Sequence, residues 1–213
     1  MAFSDYVLFS VFYFWASSTA LSIGIGYYTI YRPILAGLAA GLILNDVQTG
    51  MMAGAVVNII YIDFVSTGGS FKGDQCLTAL MAAVASIAFG LHPLEAAALA
   101  YPFGFLGILI WKYRLRINNT FVHMYEKKYK ENKAPDISLY DGLFPQLLLL
   151  FMSSAVITAG LLLMFSFNRL INFKNISALY YIGLILVIFS SFNILYKIKN
   201  KYNFIIFAVV FLA

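Results

Sequence analysis

Hydrophobic residues in this chain fall in long runs separated by brief polar breaks: Val7 to about Ile30, Ile34–Leu44, Val47–Ile62, Leu77–Phe89, Leu94–Trp111, Leu143–Phe165 and Tyr180–Leu195. A helix crosses a bilayer core of roughly 30 Å with about 20 apolar residues. Leu143–Phe165 meets that length, and Tyr180–Leu195 approaches it when extended back through Ile176–Leu179. The first run is longer than a signal-peptide core, carries Asp5 nearby and lacks a basic leader, so it reads as a retained first helix. Ile34–Leu44 and Val47–Ile62 are short and glycine-rich. They predict a re-entrant hairpin, or a helix broken near Asn45-Asp46, which membranes tolerate only where the backbone is buried in protein or lines a cavity. The fold class expected is therefore all-α, a polytopic membrane protein with re-entrant or broken helices in its N-terminal half, forming one domain over residues 1–213. The tail Tyr202–Ala213 is too short for an ordinary span, and a half-helix, a docked tail and a truncated crossing all fit it.

The breaks carry most of the local information. Pro33, after Arg32, suits the first turn of a helix. Gly37 with Gly41, and Gly50 with Gly54, are spaced four apart, which lets two helices pack closely; direct substrate contact by their backbone is the rival reading. Gly68-Gly69 followed by Lys72-Gly73-Asp74 makes a second polar interruption, but lacks the spacing of a phosphate-binding loop and excludes a nucleotide site of that type. His92-Pro93 joins two runs, and Glu95 opens the second, where a carboxylate suits a helix N-terminus; a coupling role is the alternative. The segment from Lys112 to Asp141 is polar, with a middle suited to an interfacial amphipathic helix and an exit turn from Pro135 to Gly142.

Composition changes the picture by excluding a soluble domain: hydrophobic residues are 62%, charged residues 11%, and mean hydropathy is +0.85. Charge then orients the chain. Seven of the fourteen Lys and Arg lie between Lys112 and Lys133, against only Glu126 and Glu131, a local balance of +5. Such a cluster between spanning segments marks a cytoplasmic loop, here about 112–141. That placement puts Arg169 and Lys174 outside and Lys197, Lys199 and Lys201 inside. Nucleic acid is not an expected partner, since base-reading elements are absent. Lone Cys76 and the separated His92 and His123 give no metal site, no catalytic signature is present, and no cofactor is expected.

The charges that remain among apolar segments are the informative ones, because they face an interior, a cavity or the interface. Asp74 with Gln75, together with Asn58, Asp63, Thr67 and Ser70, supplies the acceptors and amides that match sugar hydroxyls. Asp46, Gly50, Gly54, Gly68 and Gly69 are the candidate broken-helix or gating positions. A cap or helix contact is the competing role for each of them. Asp46 and Asp63 do not make an acid/base pair on sequence interval alone.

The run RPILAGLAAGLILNDVQTGMMAGA, from Arg32 through Asp46 to Gly54, with Gly68-Gly69 and Asp74, resembles the IIC membrane subunit of the mannose/fructose/sorbose-family sugar phosphotransferase system. It is similar to that family's RP-x-hydrophobic-G-D-x-x-x-G region, with Asn45 in the common glycine position before Asp46. The likeness continues through LHPLEAAALAYPFGFLGI and covers roughly residues 25 to 145. It implies a sugar-translocating permease subunit of the bacterial cytoplasmic membrane that pairs with a IID membrane subunit, in a possible higher-order IIC–IID oligomer. Sugar passes to cytosolic IIB, charged from phosphoenolpyruvate through general carriers and IIA, so the phosphohistidine chemistry lies outside this chain. The resemblance carries Asp74 onto an acidic residue after the glycine-rich segment, a hydroxyl ligand. Asn58 stands where Glu is common, and Tyr27–Tyr31 replaces acidic residues before the RP segment. A scaffold or receptor that keeps the framework without transport is the alternative implied by those departures, and an independent transporter is a third reading.

Overall fold

A computed structural model describes residues 1–18, 29–62, 73–131 and 136–197, and within them every regular element is helical. The principal helices are α1 (Phe3–Ser17), α2 (Pro33–Ile43), α3 (Val47–Ile60), α4 (Gln75–Phe89), α5 (Pro93–Ala100), α6 (Gly104–Lys130), α7 (Phe144–Leu170) and α8 (Ala178–Lys197). Two continuous stretches, Pro93–Lys130 and Ser138–Leu170, are long and apolar enough to cross a membrane.

The centre of the bundle is α4. Twelve of its fifteen residues, Gln75 to Ser86 without interruption, are buried. A fifteen-residue helix is only about 22 Å long, so α4 is a core helix surrounded by protein. Its alanines at 79, 82, 83 and 85 let neighbours approach, and α2, α3, α5, α1, α6 and α7 all pack on it. Asp74 caps its start, and Gly90, in the left-handed conformation at φ 63°, ends it.

The short runs form the expected tight hairpin. Pro33 is the first helical residue of α2, and Asp46 caps α3 by accepting from the Thr49 amide at 3.1 Å. The glycine pairs interlock the two backbones: a Cβ on Gly50 would lie 2.6 Å from the Gly37 carbonyl, and one on Gly54 2.6 Å from the Pro33 carbonyl. Between the arms, Asn45 turns the chain at φ 59°. Among non-glycine residues Asn tolerates that conformation best. Glycine would adopt the same conformation without strain.

Three expectations are corrected. The first run is not one helix to Ile30: α1 stops at Ser17, with Ser18 extended, and Ile30 lies in a turn. Leu94–Trp111 is broken into α5 and α6 by a 3-10 turn at Tyr101–Phe103, because Pro102 cannot donate to the helix ladder. The helix expected within the basic stretch is present and longer than expected: α6 continues unbroken to Lys130, with no Gly or Pro in residues 108–130 to interrupt it. Gly142 belongs to a six-residue π-helix, Ser138–Leu143, rather than to an exit turn. Helices occupy both of the last two expected regions: α7, within the long stretch Ser138–Leu170, runs on through Arg169 to Leu170, while the apolar part of α8, Ala178–Ile194, is shorter than a span. Tyr202–Ala213 lies outside the described residues.

Large apolar side chains cover the outside while polar groups sit within. Phe151 is 73% exposed and Ile185 and Phe189 63% each, whereas Ser10, Asp74, Gln75, Thr78, Ser153 and Ser190 are buried. Water would penalise that arrangement; hydrocarbon does not.

Candidate functional site

The chemistry concentrates where α4 begins. Asp74 is 3% exposed and holds its carboxyl among donors from three separate parts of the chain. Its Oδ1 accepts from the Leu77 amide at 2.8 Å, which closes the first turn of α4. Its Oδ2 accepts from the Tyr13 hydroxyl of α1 at 2.6 Å, across 61 residues of sequence. The Tyr31 hydroxyl and the Cys76 amide lie beside the same carboxyl. The Asp74 backbone is engaged as well, its amide donating to the Gly104 carbonyl at 2.8 Å.

A second layer of hydroxyls surrounds that centre. Thr78 Oγ donates to the Asp74 carbonyl at 2.7 Å. Its one hydrogen is therefore committed, and the Tyr61 hydroxyl, 3.1 Å away, is the donor in the Tyr61–Thr78 pair. Tyr61 in turn packs its ring on Tyr101, centroids 5.9 Å apart. Tyr13, Tyr31, Tyr61 and Thr78 are all buried, so the cluster lies inside the bundle.

Room for it comes from two glycines on α6. A Cβ on Gly107 would lie 2.5 Å from Asp74 Oδ2 and 2.6 Å from its Cγ. One on Gly104 would lie 2.9 Å from the Tyr61 hydroxyl and closer still to Thr78 Oγ1. No side chain could occupy either position without displacing the polar groups.

Of the sequence-predicted residues, Asp74 and Gln75 sit at this centre, both buried. Asn58, half-buried one turn beyond Gly54 on α3, is not among the partners of Asp74 in the described residues, and neither is Asp46, which caps α3. Gly50 and Gly54 serve the α2–α3 contact. Asp63, Thr67, Ser70, Gly68 and Gly69 lie outside the described residues. Glu95 caps α5, its Oε2 accepting from the His92 amide at 2.9 Å. Sequence reading missed Tyr13, Tyr31, Tyr61, Thr78, Gly104 and Gly107. Thr78 and the two glycines left a signal, being one turn past Asp74 and a small-residue pair just after Pro102; the tyrosines left none.

Comparison with known proteins places this geometry. Residues 4–212 match the family model described as the sorbose-specific IIC component of the PTS system. The chain belongs to that family. The match takes in the C-terminal half as well as the region around the RP segment. Among relatives of this IIC chain, the sorbose-specific EIIC component of Klebsiella pneumoniae is 28% identical over 115 residues, covering 51% of this chain and 41% of that protein. The N-acetylgalactosamine permease IIC component 1 of Escherichia coli K12 is 29% identical over 77 residues, 36% of this chain and 29% of the relative. The matched segments thus span less than half the length of either relative. Two solved structures share the fold across 100% of this chain and 86% of theirs, each at 17% identity. One is described as a membrane protein, at a TM-score of 0.73, and the other is the mannose transporter ManYZ in complex with microcin E492, at 0.65. The IIC chain is accordingly a membrane protein of this architecture.

Proposed function

We propose that this chain is the sugar-translocating IIC subunit of a phosphoenolpyruvate-dependent phosphotransferase system, a multi-pass protein of the bacterial cytoplasmic membrane. The family match across residues 4–212 carries the reading, and Asp74 supplies the chemistry it needs. A buried carboxyl at the start of a helix too short to span is the kind of acceptor that midplane sites in discontinuous helices use. Asp74 and Gln75 form the sugar-facing pair, with Asn58, Asp63, Thr67 and Ser70 contributing hydroxyl partners. The α2–α3 hairpin is the re-entrant element, with Asp46, Gly50, Gly54, Gly68 and Gly69 at its breaks. The basic end of α6, within segment 112–141, faces the cytosol, where IIB receives the sugar for phosphorylation with IIA behind it. Exposed apolar faces such as those of α7 and α8 meet lipid and a IID subunit, in a IIC–IID assembly. Names of the relatives point to sorbose, N-acetylgalactosamine and mannose as the ligands to try.

The test is phosphorylation of those sugars by membranes holding this chain and its IID subunit, supplied with active IIA, IIB, general carriers and phosphoenolpyruvate. Sugar-dependent phosphorylation is expected. No phosphorylation and no sugar binding by the purified complex would overturn the reading. Asp74→Asn keeps a capping oxygen while removing the carboxyl, so it weakens sugar binding about tenfold or more with IID still co-purifying. Unchanged affinity would remove Asp74 from the site.

A further inference from the structure

The Asp74 carboxyl accepts from the Leu77 amide through Oδ1 at 2.8 Å and from the Tyr13 hydroxyl through Oδ2 at 2.6 Å, with Tyr31 close by. A sugar hydroxyl that takes either position does so by replacing one of these two donors. The Leu77 amide belongs to the first turn of α4 and is held beside Oδ1 by the helix itself. Tyr31 immediately precedes the Arg32 cap of α2, whose backbone is locked into α3 through Gly37, Gly41, Gly50 and Gly54. Tyr13 is held differently. It sits on α1, which packs chiefly on α7 and touches α4 only lightly. A small sliding of one helix withdraws it, the kind of shear that packed helices allow.

A phenol and a sugar hydroxyl offer the carboxyl the same O–H donor. Resting on the reading of Asp74 as a sugar ligand, we propose that Tyr13 is an internal stand-in for a sugar hydroxyl: it occupies Asp74 Oδ2 in the sugar-free protein and gives the site up when sugar binds. The 2.6 Å bond, made by a side chain 0% exposed to a carboxyl 3% exposed, keeps the acceptor dry and satisfied until then. Tyr13 therefore sets affinity by competing with the sugar, and it ties the position of α1 to occupancy of the site.

Tyr13→Phe removes one O–H and leaves the ring in place. With the complete IIC–IID complex and D-mannose, L-sorbose and N-acetyl-D-galactosamine as probes, the variant should bind its sugar on the order of tenfold more tightly than wild type. It should also melt a few degrees lower without sugar and show a larger sugar-induced rise in Tm. Wild-type binding with unchanged or weaker binding by Tyr13→Phe would overturn the stand-in role, assigning Tyr13 to structure or to direct sugar contact. No binding of any probe by wild type and variant alike would overturn the Asp74 sugar-site reading, and the stand-in role with it.

Discussion

Replacing Gly107 by alanine tests whether α6 was shaped to admit the Asp74 carboxyl. The same substitution in an open helix is helpful, because alanine is favoured over glycine by about 1 kcal/mol in helix interiors. At Gly107 the new methyl would lie 2.5 Å from Asp74 Oδ2 and 2.6 Å from Cγ, well inside van der Waals contact. Either α6 retreats, at about 1–3 kcal/mol for overpacking, or the carboxyl turns away. Turning away forfeits the cap on Leu77, about 1 kcal/mol, and the bond from Tyr13, about 1.5–3 kcal/mol for a hydrogen bond to a charged group. Set against the helix gain, the net is a loss of about 0–2 kcal/mol if α6 retreats and about 1.5–3 kcal/mol if the carboxyl turns away. For a chain of this size the second route lowers Tm by roughly 3–12 °C. Gly142 supplies the control, since a Cβ there meets nothing within 4 Å. Thermal unfolding of the purified protein in one detergent should therefore place Gly107→Ala clearly below wild type and Gly142→Ala at or near it. A Gly107→Ala melt within a degree of wild type would refute the seat assigned to Asp74.

Two further outcomes follow from local backbone and local charge. Asn45 holds φ 59° between α2 and α3, so Asn45→Gly should leave Tm unchanged or slightly higher, whereas Asn45→Val should cost about 1–2 kcal/mol in the same melt; equal melts for the two variants would contradict a left-handed turn. At the entrance to the π-helix, the Asp136 carboxyl accepts from the Ser138 amide at 2.9 Å and from its hydroxyl, and these bonds hold its pKa below the ordinary value of about 3.9. A depressed acid stabilises the fold above its unfolded pKa and loses that contribution as pH falls through the lower, folded value. Protection of the Ser138 amide, relative to its intrinsic exchange rate, should thus be constant around neutral pH and fall only below about pH 4, and Asp136→Ala should remove that acid limb.

What the sequence made legible was whatever a one-dimensional pattern records. Gly37, Gly41, Gly50 and Gly54 repeat at helical spacing, so their interlocking was readable before any coordinates were. The break at Asn45-Asp46 announced itself by residues that cap and turn. Within the stretch from Lys112 the middle read as helical, but charge reports contact with water and not backbone conformation, so the continuity of α6 through Lys112, Arg114, Lys127 and Lys130 was not legible. The division of α5 from α6 hid inside a continuous apolar run, where Pro102 was the one mark of it. Tyr13, Tyr31 and Tyr61 were illegible for a different reason. Fifteen tyrosines in an apolar chain read as interfacial anchors, and nothing local distinguishes one whose hydroxyl meets a carboxyl 61 residues away.

Asp74 itself shows why a sequence leaves cap and ligand as rivals. Both roles predict a carboxylate just before a helix, and a residue-level pattern cannot separate them. The structure gives the two carboxyl oxygens different partners. Oδ1 faces the Leu77 amide and does the capping, which any Asp at that position would do. Oδ2 faces away from the helix to Tyr13, in a space that Gly107 keeps open. Capping alone would not require a glycine on a neighbouring helix, nor a phenol brought from the far end of the chain. One oxygen closes the first turn of α4, and the other is the one on which the proposed exchange of Tyr13 for a sugar hydroxyl would take place.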